Sequence, residues 1–318
     1  MNVAASFNKK YLNYAIVMFT SFCDSNLGHN NIFVMHSELD EADIHKLSKA
    51  LEGYDVDISP IDVSADISTL RLPTTTVWSN EIYYRLLLPD KLPGSIDRLF
   101  YLDVDVIVHG SLKELYESDF DGADLMACAD SNNTSTVDSF TNKVKEMLFY
   151  RFKDDFKYFN SGVLLLNIEK MRGVNTFTSY LKAMEEWNYE MAAPDQDILN
   201  YVHADKVKFI SWEEYDLFAR LAYKAGWTYQ SAKEKNKIIH FAGDKPWNFA
   251  NTHFELEKIW WDYAALTPVY TELMEEFVES AMSNQHLEKE AIRINSDIEA
   301  YGKAIDDAKA ILDKFASI

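Results

Sequence analysis

Asp103 and Asp105 flank Val104 at the end of the apolar run 99–102, within the stretch RLFYLDVDVIV (98–108). On an extended chain, side chains two apart point to the same side. The spacing therefore aims both carboxylates into one space, at or just past the end of a buried strand. Two like charges that close repel one another unless a proton or cation lies between them. A divalent ion that prefers oxygen ligands, Mg²⁺ or Mn²⁺, suits such a pair. A solvated turn after a core strand accounts for the same triplet, and the triplet alone leaves both readings open.

Other residues able to do chemistry are spread along the chain. Arg85 lies in EIYYRLLLPDKLPGSIDR (81–98), on the approach to the aspartates, and Asp130 ends the apolar run 123–129. Asn160, Ser161 and Gly162 stand at the entrance of a strand over 162–167 in YFNSGVLLLNIEKMR. Asp195, Gln196 and Asp197 follow Pro194 at a helix start, where proline and carboxylates also serve as first-turn residues. His240 ends an apolar run in KIIHFAGDKPWN (237–248), with Gly243, Lys245 and Trp247 on the loop that follows. A histidine at a strand end before a glycine turn and a lysine suits a metal and diphosphate site; a satisfied structural histidine is the alternative.

The elements that must carry these groups alternate. Strands are expected over 2–7, 32–36 and 55–61, and helices over 11–23 and 40–52, the second capped by Asp40 ahead of Asp43. A further helix over 81–88 is expected to stop at Pro89. This βαβα order implies an α/β sheet with a nucleotide-sized crevice at the carboxyl ends of its strands. No Gly-X-Gly-X-X-Gly and no P-loop occurs, so a bound nucleotide would need a metal to hold its phosphates. Residues 131–158 are polar, aromatic and irregular, the pattern of a lid or binding loop.

Composition narrows the function classes. The 318 residues are 47% hydrophobic, enough for one large α/β domain with a full core and some length left over. A net charge of −20 argues against a general nucleic-acid binder and against a polybasic membrane anchor. Cys23 and Cys128 lie in apolar surroundings without metal-ligand spacing, as core thiols of a reducing compartment do. No signal peptide or membrane span is visible, so the expected location is the cytoplasm, with peripheral contact at the membrane's inner face as the limit.

Four blocks, LFYLDVDVIV, YFNSGVLLLNIEKMR, PDQDILN and IIHFAGDKPWN, resemble in order and spacing the glycosyltransferase family 8 enzymes, which include bacterial lipopolysaccharide galactosyl- and glucosyltransferases and the glycogenins. The resemblance covers roughly residues 1–250. It implies a GT-A type, Rossmann-like nucleotide-sugar-binding fold with a mixed central sheet, and a retaining transfer of hexose from UDP-galactose or UDP-glucose to a saccharide, glycolipid or glycoprotein acceptor in bacterial cell-surface assembly. Asp103, Asp105 and His240 match the ligands of an ion, usually Mn²⁺, with Mg²⁺ as the alternative; Asp103 also reaches the ribose. Ser6 and Asn8 match the uracil contacts, Asn8 standing where Asp is frequent. Arg85 and Asp130 match residues that hold the donor sugar, and Asn160, Ser161 and Gly162 the segment beneath it. Asp195 and Gln196 match the pair near the anomeric carbon. Gly243 and Lys245 match the diphosphate contacts. Retention fits either a covalent sugar on a carboxylate or a same-face displacement; glutamine is a poor nucleophile, which favours the second.

Two rivals come from other classes. A strand ending in Asp-X-Asp also opens haloacid-dehalogenase-type phosphatases, but the later blocks here match the transferase. A non-catalytic sugar-nucleotide-binding scaffold is the other. Residues 251–318 form a C-terminal helical region. Within it, 254–282 is expected to pack on the catalytic domain. Leu287, Ala291, Ile294, Ile298, Tyr301, Ile305, Ala308, Leu312 and Phe315 recur at spacings of four and three, a candidate coiled-coil helix over 285–316. Acidic residues outnumber basic ones there, which points to self-association or a partner protein rather than to anionic lipid.

Overall fold

The computed structural model describes residues 1–68, 70, 72, 79–130, 157–191, 193–283, 289, 291–299, 301–303 and 305. The expected lid over 131–158 falls almost wholly outside the described residues, as do Leu287, Ala308, Leu312 and Phe315 of the heptad seam.

Among the described residues ten strands form two sheets: β1 Asn2–Ser6, β2 Asn30–His36, β3 Val56–Asp62, β4 Arg98–Leu102, β5 Val106–Val108, β6 Leu125–Ala129, β7 Phe159–Asn167, β8 Val207–Ile210, β9 Leu217–Phe218 and β10 Ile238–His240. The larger sheet runs β3-β2-β1-β4-β7-β6-β8, and the smaller β5-β10-β9. Strands β1 to β4 of the large sheet are mutually parallel, whereas β7 lies antiparallel to both β4 and β6. The sheet is therefore mixed, as expected. Its strand order turns back between β1 and β4, where the carboxyl ends of two parallel strands open a crevice.

Alternation along the central strands explains why they sit in the middle. Phe100 and Leu102 enter one apolar cluster and Leu99 and Tyr101 the other, so β4 is buried on both faces. The helix Leu12–Ser25 covers the first face with Ala15, Ile16, Phe19 and Phe22. Asp40 caps the helix Glu41–Ala50, as expected, and Asp43 returns the bond in a reciprocal capping box. Leu256, Ile259, Trp260, Tyr263 and Leu273 from the helical segments after 254 join the same cluster as β1 and the helix Leu12–Ser25. Lys46 and Asn13 both bond Glu272 on the helix Tyr270–Met282. Beyond it, residues 291–299 are helical, and Ile292, Ile294 and Ile298 are exposed.

Three expectations need correction. The stretch 98–108 is two strands in two sheets, and Asp103, Val104 and Asp105 form the turn between them. The carboxylates converge because the chain turns there, not through strand alternation. Residues 80–87 form a 3₁₀ helix, and Pro89 does not end a helix: it sits in the first turn of the helix Leu88–Lys91, where a missing N–H costs nothing. Asn160 and Ser161 lie inside β7 rather than ahead of it, because β7 begins at Phe159.

Candidate active site

The turn after β4 presents Asp103 and Asp105 at the crevice. Two sheets converge on it. From the large sheet, β7 runs antiparallel beside β4, and the Asp103 N–H donates to Gly162 O at 2.8 Å. From the small sheet, β10 pairs with β5 so that His240 stands opposite Val106, and the Phe241 N–H donates to Asp105 O at 2.9 Å. The outcome is that ligand atoms of Asp103, Asp105 and His240 lie within 4.8 Å of one another, the aspartates half-buried and the histidine buried.

Two carboxylate oxygens and an imidazole nitrogen match the donor set of a Mn²⁺ or Mg²⁺ site. The backbone allows for it. A Cβ on Gly162 would lie 2.6 Å from His240 Cε1 and 2.7 Å from Asp103 Oδ2, so only glycine leaves the cradle between them open. Lys245 Nζ bonds Asp105 Oδ2, and donates to Phe241 O at 2.9 Å. The turn that brings it there passes through Gly243 at φ 89°, a left-handed conformation that glycine adopts without strain.

The electrostatics follow from this crowding. Burial disfavours a charged His240, yet the Asp105 and Asp216 carboxylates outweigh it and raise the imidazole to about 10. Burial likewise works against the Asp105 charge, but Lys245 and His240 hold it well below the ordinary carboxylate range. The cluster is organised to keep positive charge against its acids.

A second network adjoins the first. Arg85, buried on the 3₁₀ helix, donates from Nη2 to Asp103 Oδ1 at 2.9 Å and from Nη1 to Ser161 O at 2.7 Å, and its Nε lies 3.2 Å from Asp195 Oδ2. Burial opposes its charge, and the Asp103 and Asp195 carboxylates more than restore it. Ser161 Oγ donates to Asp195 Oδ2 at 3.1 Å. Gln196 Oε1 accepts from Asn160 Nδ2 at 3.1 Å and Ser161 N at 2.9 Å, while its Nε2 donates to Asp130 Oδ2 at 3.2 Å. Asp195 and Gln196 thus turn into the crevice from the start of the helix Pro194–His203. Asp197 turns away and serves the fold, accepting from Tyr158 Oη at 2.7 Å and Ala193 N at 3.1 Å.

At the third edge, Ser6 Oγ lies 2.6 Å from Tyr101 Oη, which donates to Asp103 Oδ1 at 3.2 Å. Asn8 does not cap the short helix Lys9–Tyr11, and its Oδ1 is buried with no partner among the described residues. The structure thus links Arg85, Asp103, Asp105, Asp130, Asn160, Ser161, Gly162, Asp195, Gln196, His240 and Lys245 by direct contacts or shared partners. Ser6 joins through Tyr101, whereas Asn8 follows β1 and Gly243 lies in the turn ahead of Lys245.

Two participants escaped the sequence reading. Tyr101 reads as one more apolar strand residue, although its ring also lies under the Arg85 guanidinium at 4.3 Å. Asp216, in the segment EEYDLF, bonds His240 Nδ1 at 2.8 Å. Only the pairing of β9 with β10 brings these two together, and no local spacing announces it.

Comparison with known proteins then adds identity to geometry. A family model described as glycosyl transferase family 8 matches residues 2–251. The lipopolysaccharide 1,2-glucosyltransferase of Escherichia coli (strain K12) is 26% identical over 257 residues, spanning 78% of this chain and 73% of the relative. A second enzyme of that description from Escherichia coli is 29% identical over 260 residues, with coverage of 78% and 73%. Among solved structures, galactosyltransferase LgtC in complex with donor and acceptor sugar analogs shares the fold at a TM-score of 0.70 and 23% identity, covering 87% of this chain and 100% of that one.

Proposed function

The chain belongs to glycosyltransferase family 8 and has the GT-A fold, and from that premise we propose that it is a retaining, metal-dependent hexosyltransferase using UDP-galactose or UDP-glucose. The observation that carries the metal and donor reading is the convergence of Asp103, Asp105 and His240 within 4.8 Å at the crevice. Those three would hold Mn²⁺, with Mg²⁺ as the alternative. Such an ion neutralises a diphosphate and stabilises the charge that grows on its leaving oxygen.

The chain's own residues supply the rest. Lys245 adds a second positive charge beside Asp105, where a leaving diphosphate would lie. The bare Asn8 Oδ1 suits the imide N–H of a uracil, a donor seeking a buried acceptor. Arg85, Asp130 and Asn160 offer donors and acceptors for sugar hydroxyls. Gln196 stands nearest the reacting carbon in this reading, but both lone pairs of its carbonyl oxygen are engaged by Asn160 and Ser161. Asp195 is locked by Arg85 and Ser161. Neither is free to attack, which supports a same-face displacement in which the departing phosphate takes the acceptor's proton.

The acceptor in this reading is a saccharide, glycolipid or glycoprotein glycan of bacterial cell-surface assembly. The work would take place in the cytoplasm or at the inner face of the membrane. Among the described residues no helix is long and apolar enough to cross a membrane.

The test is a panel of UDP-sugars incubated with the protein, following UDP release without acceptor, with Mn²⁺ and again with EDTA. Slow Mn²⁺-dependent release from one hexose donor is expected. Absence of Mn²⁺-dependent UDP binding and of release from every donor overturns the proposal.

A further inference from the structure

We propose that Asp216 is a positioning residue of the cation site: it fixes the tautomer and orientation of His240, so that Nε2 presents its lone pair to a divalent ion held with Asp103 and Asp105. This rests on the metal-site reading above. Asp216 lies between the helix Trp212–Tyr215 and β9, and is 1% exposed. Its Oδ1 is 2.8 Å from His240 Nδ1. A carboxylate only accepts, so Nδ1 carries the proton in this bond and Nε2 is the nitrogen left for a ligand. Nε2 faces Asp105 Oδ1 at 3.3 Å. An imidazole lone pair and a carboxylate oxygen so placed coexist only with a cation or proton between them.

A second feature singles out this carboxylate. Asp216 Oδ2 is buried and has no hydrogen-bond partner among the described residues. A buried carboxylate with one bare oxygen is costly, and a neutral side chain would serve the fold better. The cost is offset only by positive charge next to it, which the His240 side of the residue provides. Phe218, two residues further on, meets the imidazole edge-on at 5.1 Å and holds the ring's plane. Asp216 then sets its rotation within that plane. Neighbours of this kind are conserved features of metal sites because they orient the ligand and raise its basicity.

The experiment measures Mn²⁺ affinity, through the free-ion electron paramagnetic resonance signal in the presence of UDP, for wild type, Asp216→Asn and Asp216→Ala. Thermal midpoints of the metal-free proteins check the fold. Removing such a partner weakens metal binding by about 10–100-fold. Asp216→Asn, which keeps an acceptor without the charge, is expected near the low end and Asp216→Ala near the high end. Saturating Mn²⁺ should restore most of the turnover in Asp216→Asn, which a merely structural defect would not allow. In a His240→Ala background the Asp216→Asn change should cost no further affinity. A folded Asp216→Asn protein that binds Mn²⁺ as tightly as wild type overturns the inference alone. A wild type that leaves Mn²⁺ free overturns the metal-site reading and this inference with it.

Discussion

Two buried histidines each give Nδ1 to a buried carboxylate: His203 to Asp124 at 3.0 Å, and His240 to Asp216 at 2.8 Å. The difference lies at the other nitrogen. His203 Nε2 accepts from Tyr180 Oη at 2.7 Å, and Lys170 Nζ lies 2.8 Å from the second oxygen of Asp124. Both ring nitrogens and both carboxylate oxygens of that cluster are paired, and burial holds the His203 pKa below its ordinary value. His240 Nε2 instead faces Asp105, with Asp103 beside it, and the carboxylates around it raise the imidazole to about 10. The same pair of residue types is structural where protein closes both ends. It is a candidate cation site where one end stays open.

The largest way to break this comparison is at the open end. Asp105→Ala removes a proposed ligand and leaves His240 and Lys245 without their carboxylate. Mn²⁺-dependent UDP release should fall about 10³-fold, some 4 kcal/mol in the barrier. The urea midpoint should change far less than the rate. A variant within tenfold of wild type would show that the two histidine clusters do not differ in kind.

At the closed end the effect should move from rate to stability. His203→Ala strands the Tyr180 hydroxyl and opens a cavity between the helices Phe177–Glu186 and Pro194–His203. Loss of about 3 kcal/mol in urea unfolding is expected, with Mn²⁺ affinity of the folded fraction unchanged. The outcome that counts against the division is a weakened metal site with unaltered stability.

Gly162→Ala sharpens the comparison between backbone and side-chain control. The added methyl would meet His240 Cε1 and Asp103 Oδ2 at under 3 Å, and neither is the loose end of a flexible chain. Displacing ligands by even ~1 Å can cost about 10²-fold. Mn²⁺ affinity should fall about 10–100-fold, and the thermal midpoint should drop modestly with it, because Gly162 lies in a strand without a left-handed φ and the methyl adds only overpacking, about 1–3 kcal/mol. Wild-type affinity in this variant would mean that the cradle is wider than its geometry states.

What the sequence made legible follows the range of the forces involved. The capping box at Asp40 and Asp43, the Pro194 helix start and the buried strand before Asp103 are set within a few residues, and they can be read locally. The Asp-X-Asp turn could be read as chemistry although its backbone was misassigned, since the pattern of two acids after an apolar run is the same on a strand or a turn. Asp216, Tyr101 and the Asp124–His203–Tyr180 cluster could not be read. Each depends on strand order or helix packing that joins residues far apart, such as His240 with Asp216 across β9 and β10. Arg85 could be suspected from its nearness to the aspartates, but its contact with Ser161 and Asp195 required the antiparallel placement of β7.

The smallest predicted effect is one of sign. A histidine whose folded pKa is depressed contributes stability above its unfolded value of about 6.5, lost as pH falls toward the folded value. His203 is of this kind, so the closed cluster weakens on the acid side. A histidine whose folded pKa is raised contributes stability that is complete below about 6.5 and is lost as pH rises through the folded value, here about 10. His240 is of that kind, so in EDTA-treated protein the open cluster weakens on the alkaline side. Each proton changes the slope by at most about 1.4 kcal/mol per pH unit. Urea unfolding between pH 5 and 9 should therefore show His203→Gln flattening the acid limb alone and His240→Gln the alkaline limb alone. Mn²⁺ with UDP should flatten the alkaline limb of wild type as well, because in the proposed site the ion would take the place of the proton on Nε2. If both substitutions flattened the same limb, the two histidines would be electrostatically alike, and the distinction between a closed pair and an open one would fail.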